Sequence, residues 1–87
     1  MDKNTVIIRF NNYKAMRGVD LDIPLDISAN ELVVALNHAY DLGINVSNVK
    51  KCFLRSENPI ALLKGNKTLE EYGIRNGSVI FYIEEKN

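Results

Sequence analysis

The side chains that most often do chemistry in proteins are scarce in this chain of 87 residues. It has one cysteine, Cys52, and one histidine, His38, which cannot supply an internal disulfide, a thiolate cluster or a multi-histidine metal site. No Cys, Asp or Glu accompanies His38 within plausible reach, so we interpret it as a residue at the solvent edge of a helix. The sequence therefore predicts no bound metal and no cofactor.

Two residues could be mistaken for nucleophiles. Ser28 opens the run Ser-Ala-Asn-Glu, the Ser-x-x-Glu pattern of a helix capping box, and no general base accompanies it. Cys52 falls on the inward face of a predicted strand, where a thiol acts as a small hydrophobic residue, although Lys50 and Lys51 would favour the thiolate if it were exposed. We predict no catalytic residue, and therefore a protein that is not an enzyme.

The composition is that of a folded chain without net charge. The apolar fraction is 46%, and 11 basic residues balance 11 acidic ones. Zero net charge argues against a main role in neutralising phosphates or anionic lipid. The longest apolar runs are five residues, too short for a signal peptide or a membrane span. We expect a single domain over residues 1–87, located in the cytoplasm and not inserted in a membrane.

The first half of the chain has the pattern of a hairpin followed by a helix. β-Branched and aromatic residues over 6–10, a polar loop and strict alternation over 19–23 predict two paired strands. Pro24 ends the second strand, and the capping box predicts a helix from Ala29 to a left-handed stop at Gly43. Three- and four-residue spacing places one apolar stripe on the helix. That stripe consists of Leu32, Val33, Leu36, Ala39 and Tyr40.

The second half predicts three further strands, so that the full order is β-β-α-β-β-β. Residues 51–55 alternate, with Cys52 and Leu54 inward and the other three residues outward. A short apolar piece over 60–63 and a single helical turn over 68–72 follow. Residues 78–83 are continuously apolar and aromatic after the first position, which is typical of a central strand covered on both faces.

This order of elements is that of the β-grasp fold, and residues 68–74, Thr-Leu-Glu-Glu-Tyr-Gly-Ile, resemble the Thr-Leu-x-x-Tyr-x-Ile segment of ubiquitin. The chain also resembles the YukD/EsaB family, which consists of small cytosolic ubiquitin-like proteins encoded with bacterial type VII secretion systems. This resemblance rests on residues 20–24, 29–32 and 58–65 through 74–77. The resemblance implies an α+β, ubiquitin-like β-grasp fold, a mixed sheet of four to five strands on one crossover helix. It also implies a non-enzymatic accessory or regulatory component of such a secretion system.

The end of the sequence departs from the pattern of conjugated relatives. Ubiquitin-like modifiers and sulphur carriers of this fold resemble one another in ending with a Gly-Gly pair, whose unhindered carboxylate is adenylated. Residues 84–87 read Glu-Glu-Lys-Asn instead, which are bulkier and partly acidic. We therefore expect that the chain is not conjugated.

The resemblance to ubiquitin also implies where a partner binds. If Ile80 and Tyr82 face the helix, then alternate residues of the last strand form an open apolar face, which in ubiquitin is the main partner-binding surface. An apolar patch rimmed by charge is typical of a protein interface. The alternatives are that the C-terminal tail covers this face, or that its apolar residues are scattered. The predicted protein-binding residues are Phe53, Phe81, Ile83, Ile7, Lys51 and Arg55.

Acidic and basic residues are separated along the sequence. Residues 18–49 contain five acids and no Lys or Arg, whereas residues 50–67 contain five basic residues and one acid. Such runs are most often solvated faces, but they can also orient a charged partner, an effect that salt weakens.

The sequence is compatible with two classes of partner. The family resemblance implies protein partners, namely cytosolic domains of type VII secretion membrane components. The alternative is a nucleic-acid-binding β-grasp module in which Lys51, Phe53, Arg55 and Phe81 form a basic and aromatic face. Its weakness is the zero net charge and a pI near 6.6, so we expect no nucleic-acid partner.

Overall fold

The structure is a computed structural model, and it describes residues 4–13, 16–45, 47 and 52–82. Its elements are β1 (Thr5–Asn12), β2 (Arg17–Pro24), α1 (Ala29–Tyr40), β3 (Leu54–Glu57), β4 (Ala61–Leu63) and β5 (Val79–Tyr82). The five strands form one sheet in the order β2-β1-β5-β3-β4. β1 and β5 are parallel and the other neighbours are antiparallel. The predicted order of elements, the mixed sheet and the central last strand are confirmed.

The core lies between α1 and one face of the sheet. In β1 every second residue from Val6 is buried, the alternation expected of a strand with one face on the core. Ile80 of β5 and Leu63 of β4 are completely buried. The buried residues of α1 are Ala29, Leu32, Val33 and Leu36.

The predicted apolar stripe of α1 is wrong at one position. Ala39 is exposed, whereas Tyr40 packs against the core and its ring lies 5.3 Å from that of Phe10. At 3.6 residues per turn, Ala39 lies at the margin of the stripe that Ala29 and Leu36 define. A small side chain at that margin leaves space beside the helix end.

The helix begins where the capping box predicts and ends before the predicted stop. The Glu31 amide donates to Ser28 Oγ at 3.1 Å, and the Ser28 amide donates to Glu31 Oε1 at 2.8 Å. The helix ends at Tyr40, and Asp41 takes the left-handed conformation at φ 54. The prediction that Gly43 is the stop is therefore wrong, because Asp can also adopt this conformation.

Removing the cap should destabilise the fold moderately. We expect Ser28→Ala to lower the free energy of unfolding by about 1 kcal/mol, because the Glu31 amide loses its acceptor. In a domain of this size that corresponds to a fall in Tm of about 4–8 °C in thermal denaturation followed by circular dichroism. Glu31→Gln, which keeps an acceptor for the Ser28 amide, should change Tm less. An unchanged Tm in Ser28→Ala would show that the box does not stabilise α1.

β3 lies further along the chain than predicted, at Leu54–Glu57 instead of residues 51–55. The predicted facing is nevertheless confirmed, because Cys52 and Leu54 are buried and Arg55 is exposed. The predicted helical turn is present, since the Tyr72 amide donates to the carbonyl of Thr68 at 3.1 Å. Leu69, within this turn, is completely buried.

Candidate functional site

The face of the sheet that turns away from α1, which we call the outer face, holds the candidate site. In β5, Ile80 is buried in the core while Val79 and Phe81 are half-buried on the outer face. Phe81 lies opposite Asn11 of β1 on one side and Arg55 of β3 on the other. Directly opposite residues point to the same side of a sheet, so these three side chains share the outer face.

Tyr82, the next residue of β5, points to the helix side. Its hydroxyl lies 3.5 Å from the carbonyl oxygen of Leu42, in the segment that follows α1, and its side chain packs against the core. The prediction that Ile80 and Tyr82 face the helix is thereby confirmed.

An aromatic and basic cluster surrounds Phe81. The ring of Tyr13 meets it edge-on, with centroids 6.1 Å apart and an interplanar angle of 84°. The guanidinium carbon of Arg55 lies 5.8 Å from the centroid of the Phe53 ring, within the range of a cation–π contact. Arg55 lies between Phe81 of β5 and Leu62 of β4, its cross-strand partners on the two neighbouring strands. We call Phe53, Arg55, Leu62 and Phe81 the outer-face cluster.

A shallow depression of about 380 Å³ adjoins this cluster. Its apolar lining consists of Phe81, Leu62, Ala61 and Ile60, of which Ile60 is 88% exposed and Leu62 44%. Neither Ile60 nor Leu62 belonged to the predicted site. The period-two pattern of β4 could have indicated Leu62, since it must point away from the core if Leu63 points in.

Ile7 shares the outer face but lies apart from Phe81. The β1 residue opposite Phe81 is Asn11, four positions beyond Ile7, which is about 13 Å along a strand. The side chain of Arg9 lies between them and pairs with Asp20 at 3.3 Å. The outer face is therefore less continuously apolar than the sequence predicted, because the register brings charged residues between its apolar ones.

Two predicted site residues, Lys51 and Ile83, lie outside the described residues, as do residues 84–87 of the predicted tail. The structure thus brings Phe53, Arg55 and Phe81 together, places Ile7 separately, and gives no position for the other two. Lys64 and Lys67, which follow β4, are exposed. The ammonium group of Lys67 lies 4.7 Å from the centroid of the Tyr72 ring.

The single histidine and the single cysteine lie in different segments of the fold. His38 lies in the last turn of α1 and is exposed, whereas Cys52 is buried and its Sγ lies 3.5 Å from the carbonyl oxygen of Asn45. The interpretation of Cys52 as a core residue is confirmed. Over residues 4–13, 16–45, 47 and 52–82, no three His, Cys, Asp or Glu side chains could jointly hold a metal ion. Nor does any helix there combine the length and apolarity needed to cross a bilayer.

The buried thiol should be unreactive. Burial raises the pKa of Cys52, which lowers the fraction of reactive thiolate at neutral pH, and it also shields the sulfur from reagents. We expect alkylation by iodoacetamide, followed by mass spectrometry, to be slower in native buffer than in concentrated urea. Equal rates in the two conditions would contradict the burial of this side chain.

A mixed five-stranded sheet packed on one helix defines a ubiquitin-like β-grasp protein. The chain is similar to the C-terminal ubiquitin-like domain of mouse tubulin-specific chaperone e, with 12% identity, a TM-score of 0.69, and 100% of this chain and 95% of that one covered. It is also similar to a protein designed de novo on ubiquitin, with 20% identity, a TM-score of 0.62, and coverage of 92% and 88%. A third similar structure is the ubiquitin-like domain of Plasmodium falciparum Dsk2, with 19% identity, a TM-score of 0.60, and coverage of 88% and 96%. At these identities the likeness shows the fold.

The family follows from a separate comparison. Residues 5–81 match the model of the YukD family, described as the WXG100 protein secretion system (Wss) protein YukD, and the chain belongs to this family. It is thus a ubiquitin-like module of the WXG100 secretion system, which confirms the resemblance seen in the sequence. No curated protein matches the chain.

Proposed function

We propose that this module has no enzymatic activity and acts by binding a protein partner through its outer face, as an accessory or regulatory component of the secretion system. The observation that supports this most is the outer-face cluster, in which aromatic and aliphatic side chains surround a guanidinium group beside a depression. Aromatic residues and Arg are the residue types that contribute most to protein interfaces.

Phe81 is the proposed central anchor of the interface. It stands on the central strand, it is half-buried, and its ring is held in place by Tyr13. Phe53 and Ile7 are proposed as further apolar contacts, together with Ile83. Arg55 and Lys51 are the proposed charged rim, and the exposed side chains of Leu62 and Ile60 extend the patch at the β4 edge.

The proposed partners are cytosolic domains of the membrane components of the secretion system, and the proposed location is the cytoplasm. The family supports this choice of system. Arg55 of β3 is exposed, as are Lys64 and Lys67 in the segment after β4, so the surface of the partner that meets them should be acidic. Mixed charges on the outer face, where Glu57 lies opposite Val79 and Asp20 opposite Arg9, do not favour a nucleic acid.

We also propose that the module acts without being conjugated. Its sequence contains no Gly-Gly pair, the feature on which adenylation of the ubiquitin-like modifiers depends. Mass spectrometry of the chain purified from its native cells should find no adduct through a terminal carboxylate. An isopeptide-linked or thiocarboxylated form would contradict this proposal.

Co-purification tests the proposed function. A tagged chain produced in its native cells should retain the cytosolic domains of its own secretion machinery, and deletion of its gene should reduce export of the WXG100 substrates. Export that continues unchanged after the deletion would contradict an accessory or regulatory role. A titration with single-stranded RNA at low salt should show no binding, and salt-sensitive binding would favour the nucleic-acid alternative instead.

A further inference from the structure

The two edges of the sheet differ in how much backbone they offer. β4, at one edge, has three residues, whereas β2, at the other, has eight. An edge strand presents unpaired N–H and C=O groups, and a long one is a template on which another chain can pair. β2 is therefore the edge at which this sheet can accept a further strand.

The pairing of β1 shows which groups of β2 are available. The Arg9 amide donates to the carbonyl of Ser78 at 2.9 Å, so the backbone of Arg9 points toward the β5 side. Its partner Asp20 is then in a non-hydrogen-bonded pair, and the backbone of Asp20 points away from β1. By the same alternation the outward residues of β2 include Gly18, Asp20 and Asp22. Within the described residues no loop or cap makes a backbone hydrogen bond to these three.

The two sides of this edge differ in chemistry. On the helix side, Val19 and Leu21 are half-buried, and a groove of about 520 Å³ lies between β2 and the end of α1. Its apolar lining consists of Val19, Phe10, Ala39 and Tyr40, and its charged residues, Arg17 and Asp41, are of opposite sign. On the outer side, the exposed residues of β2 are Asp20, Asp22 and Pro24, so its charged side chains there are both acidic.

These carboxylates determine which strand would fit. Arg9 neutralises Asp20 only through an exposed pair, with side chains 51% and 70% accessible, and such surface pairs contribute little. Asp22 forms no ion pair within the part of the chain that the structure describes. Two copies of β2 side by side would bring like charges together, which disfavours pairing of this chain with itself.

We propose that β2 binds an extended peptide segment as a sixth strand, with alternating basic and apolar residues. Its backbone pairs with the outward groups of Gly18, Asp20 and Asp22. Its basic side chains lie on the outer side beside the two carboxylates, and its apolar side chains enter the groove beside Val19. Strand addition of this kind takes affinity from main-chain hydrogen bonds and specificity from alternate side chains. This surface is separate from the outer-face cluster, because β1 lies between β2 and β5, the nearest strand of that cluster.

The test is an NMR titration of the whole chain, labelled with ¹⁵N, with a short synthetic peptide of alternating lysine and valine. We expect shift changes centred on the amides of β2 and the groove, weakening as salt rises. A matched peptide of alternating glutamate and valine should not bind. Absence of binding by the lysine peptide, or shift changes centred on Phe81 and Arg55, would overturn the proposal. Because the peptide contains no secretion component, this outcome is independent of the proposed function.

Variants separate the charge from the backbone. Asp22→Lys should weaken binding of the lysine peptide by at least about tenfold and create binding of the glutamate peptide, whereas Asp26→Lys, the same change just beyond β2, should leave both nearly unchanged. Asp22→Pro removes one outward N–H without removing a bond to β1, and it should abolish binding. If circular dichroism shows that Asp22→Pro is unfolded, the affinity of Asp22→Lys for the lysine peptide is the deciding measurement. Unchanged affinity in Asp22→Lys would overturn the proposal.

Discussion

Phe81→Asp is expected to weaken the binding of the module to its protein partner by at least about 30-fold, the effect of losing an interface anchor worth about 2 kcal/mol. Phe81 stands between Asn11 and Arg55 on the central strand, next to the depression that Leu62 and Ile60 line. The substitution removes the apolar surface of the ring and places a carboxylate in the interface, where binding of the partner must remove its water. Isothermal titration calorimetry with the partner domain measures the effect.

A matched variant separates the interface from general effects of charge. Val34 lies on α1 and is 43% exposed, so Val34→Asp makes the same kind of change on the opposite side of the molecule. We expect its affinity to stay within about threefold of the unmodified chain, since it lies outside the interface. Thermal melts of both variants establish that they are folded. A folded Phe81→Asp variant with unchanged affinity would remove Phe81 from the binding site.

Two neighbouring leucines in β4 should differ widely in their effect on stability. Leu63 is completely buried, whereas Leu62 is 44% exposed on the outer face. Leu63→Ala should lower the free energy of unfolding by about 2–5 kcal/mol, because it removes buried apolar surface and leaves a cavity in the core. That is a large part of the 5–15 kcal/mol that typically holds a domain folded. Leu62→Ala should cost less than about 1 kcal/mol, because 44% of Leu62 is already in contact with water and its truncation leaves no enclosed cavity.

Urea denaturation of the two variants, fitted with a common m-value, gives this comparison. The substitution is chemically identical at adjacent positions, so differences in helix or strand propensity cancel. Equal losses of stability, or a larger loss in Leu62→Ala, would mean that β4 turns its other face to α1. The outer-face cluster would then not exist as described, since Leu62 and Arg55 are cross-strand partners.

The sequence predicted the features that depend on local pattern. The alternation of β2 over residues 19–23 and the inward position of Cys52 follow from the two-residue period of a strand, and the start of α1 follows from the reciprocal bonds of Ser28 and Glu31. Each of these is decided within a few residues of the chain.

Features that depend on distant segments could not be predicted as well. The separation of Ile7 from Phe81 is set by the parallel register of β1 and β5, which lie far apart in the sequence. The end of α1 also differs from the prediction, although the contacts there are local. The Asn37 side chain accepts a hydrogen bond from the Ile44 amide at 2.9 Å and donates one to its carbonyl at 3.1 Å. This pair shapes the segment after the helix, and Gly43 lies within it, beyond the left-handed residue that ends α1.

We propose that the outer face binds a protein component of the WXG100 secretion system. Cross-saturation NMR tests it most directly, with the partner's cytosolic domain irradiated and signal loss read at the amides of the labelled chain. We predict the largest losses at the outer-face cluster, Phe53, Arg55, Leu62 and Phe81, with little loss along α1. Losses confined to α1, or to β2 at the far edge of the sheet, would contradict the claim.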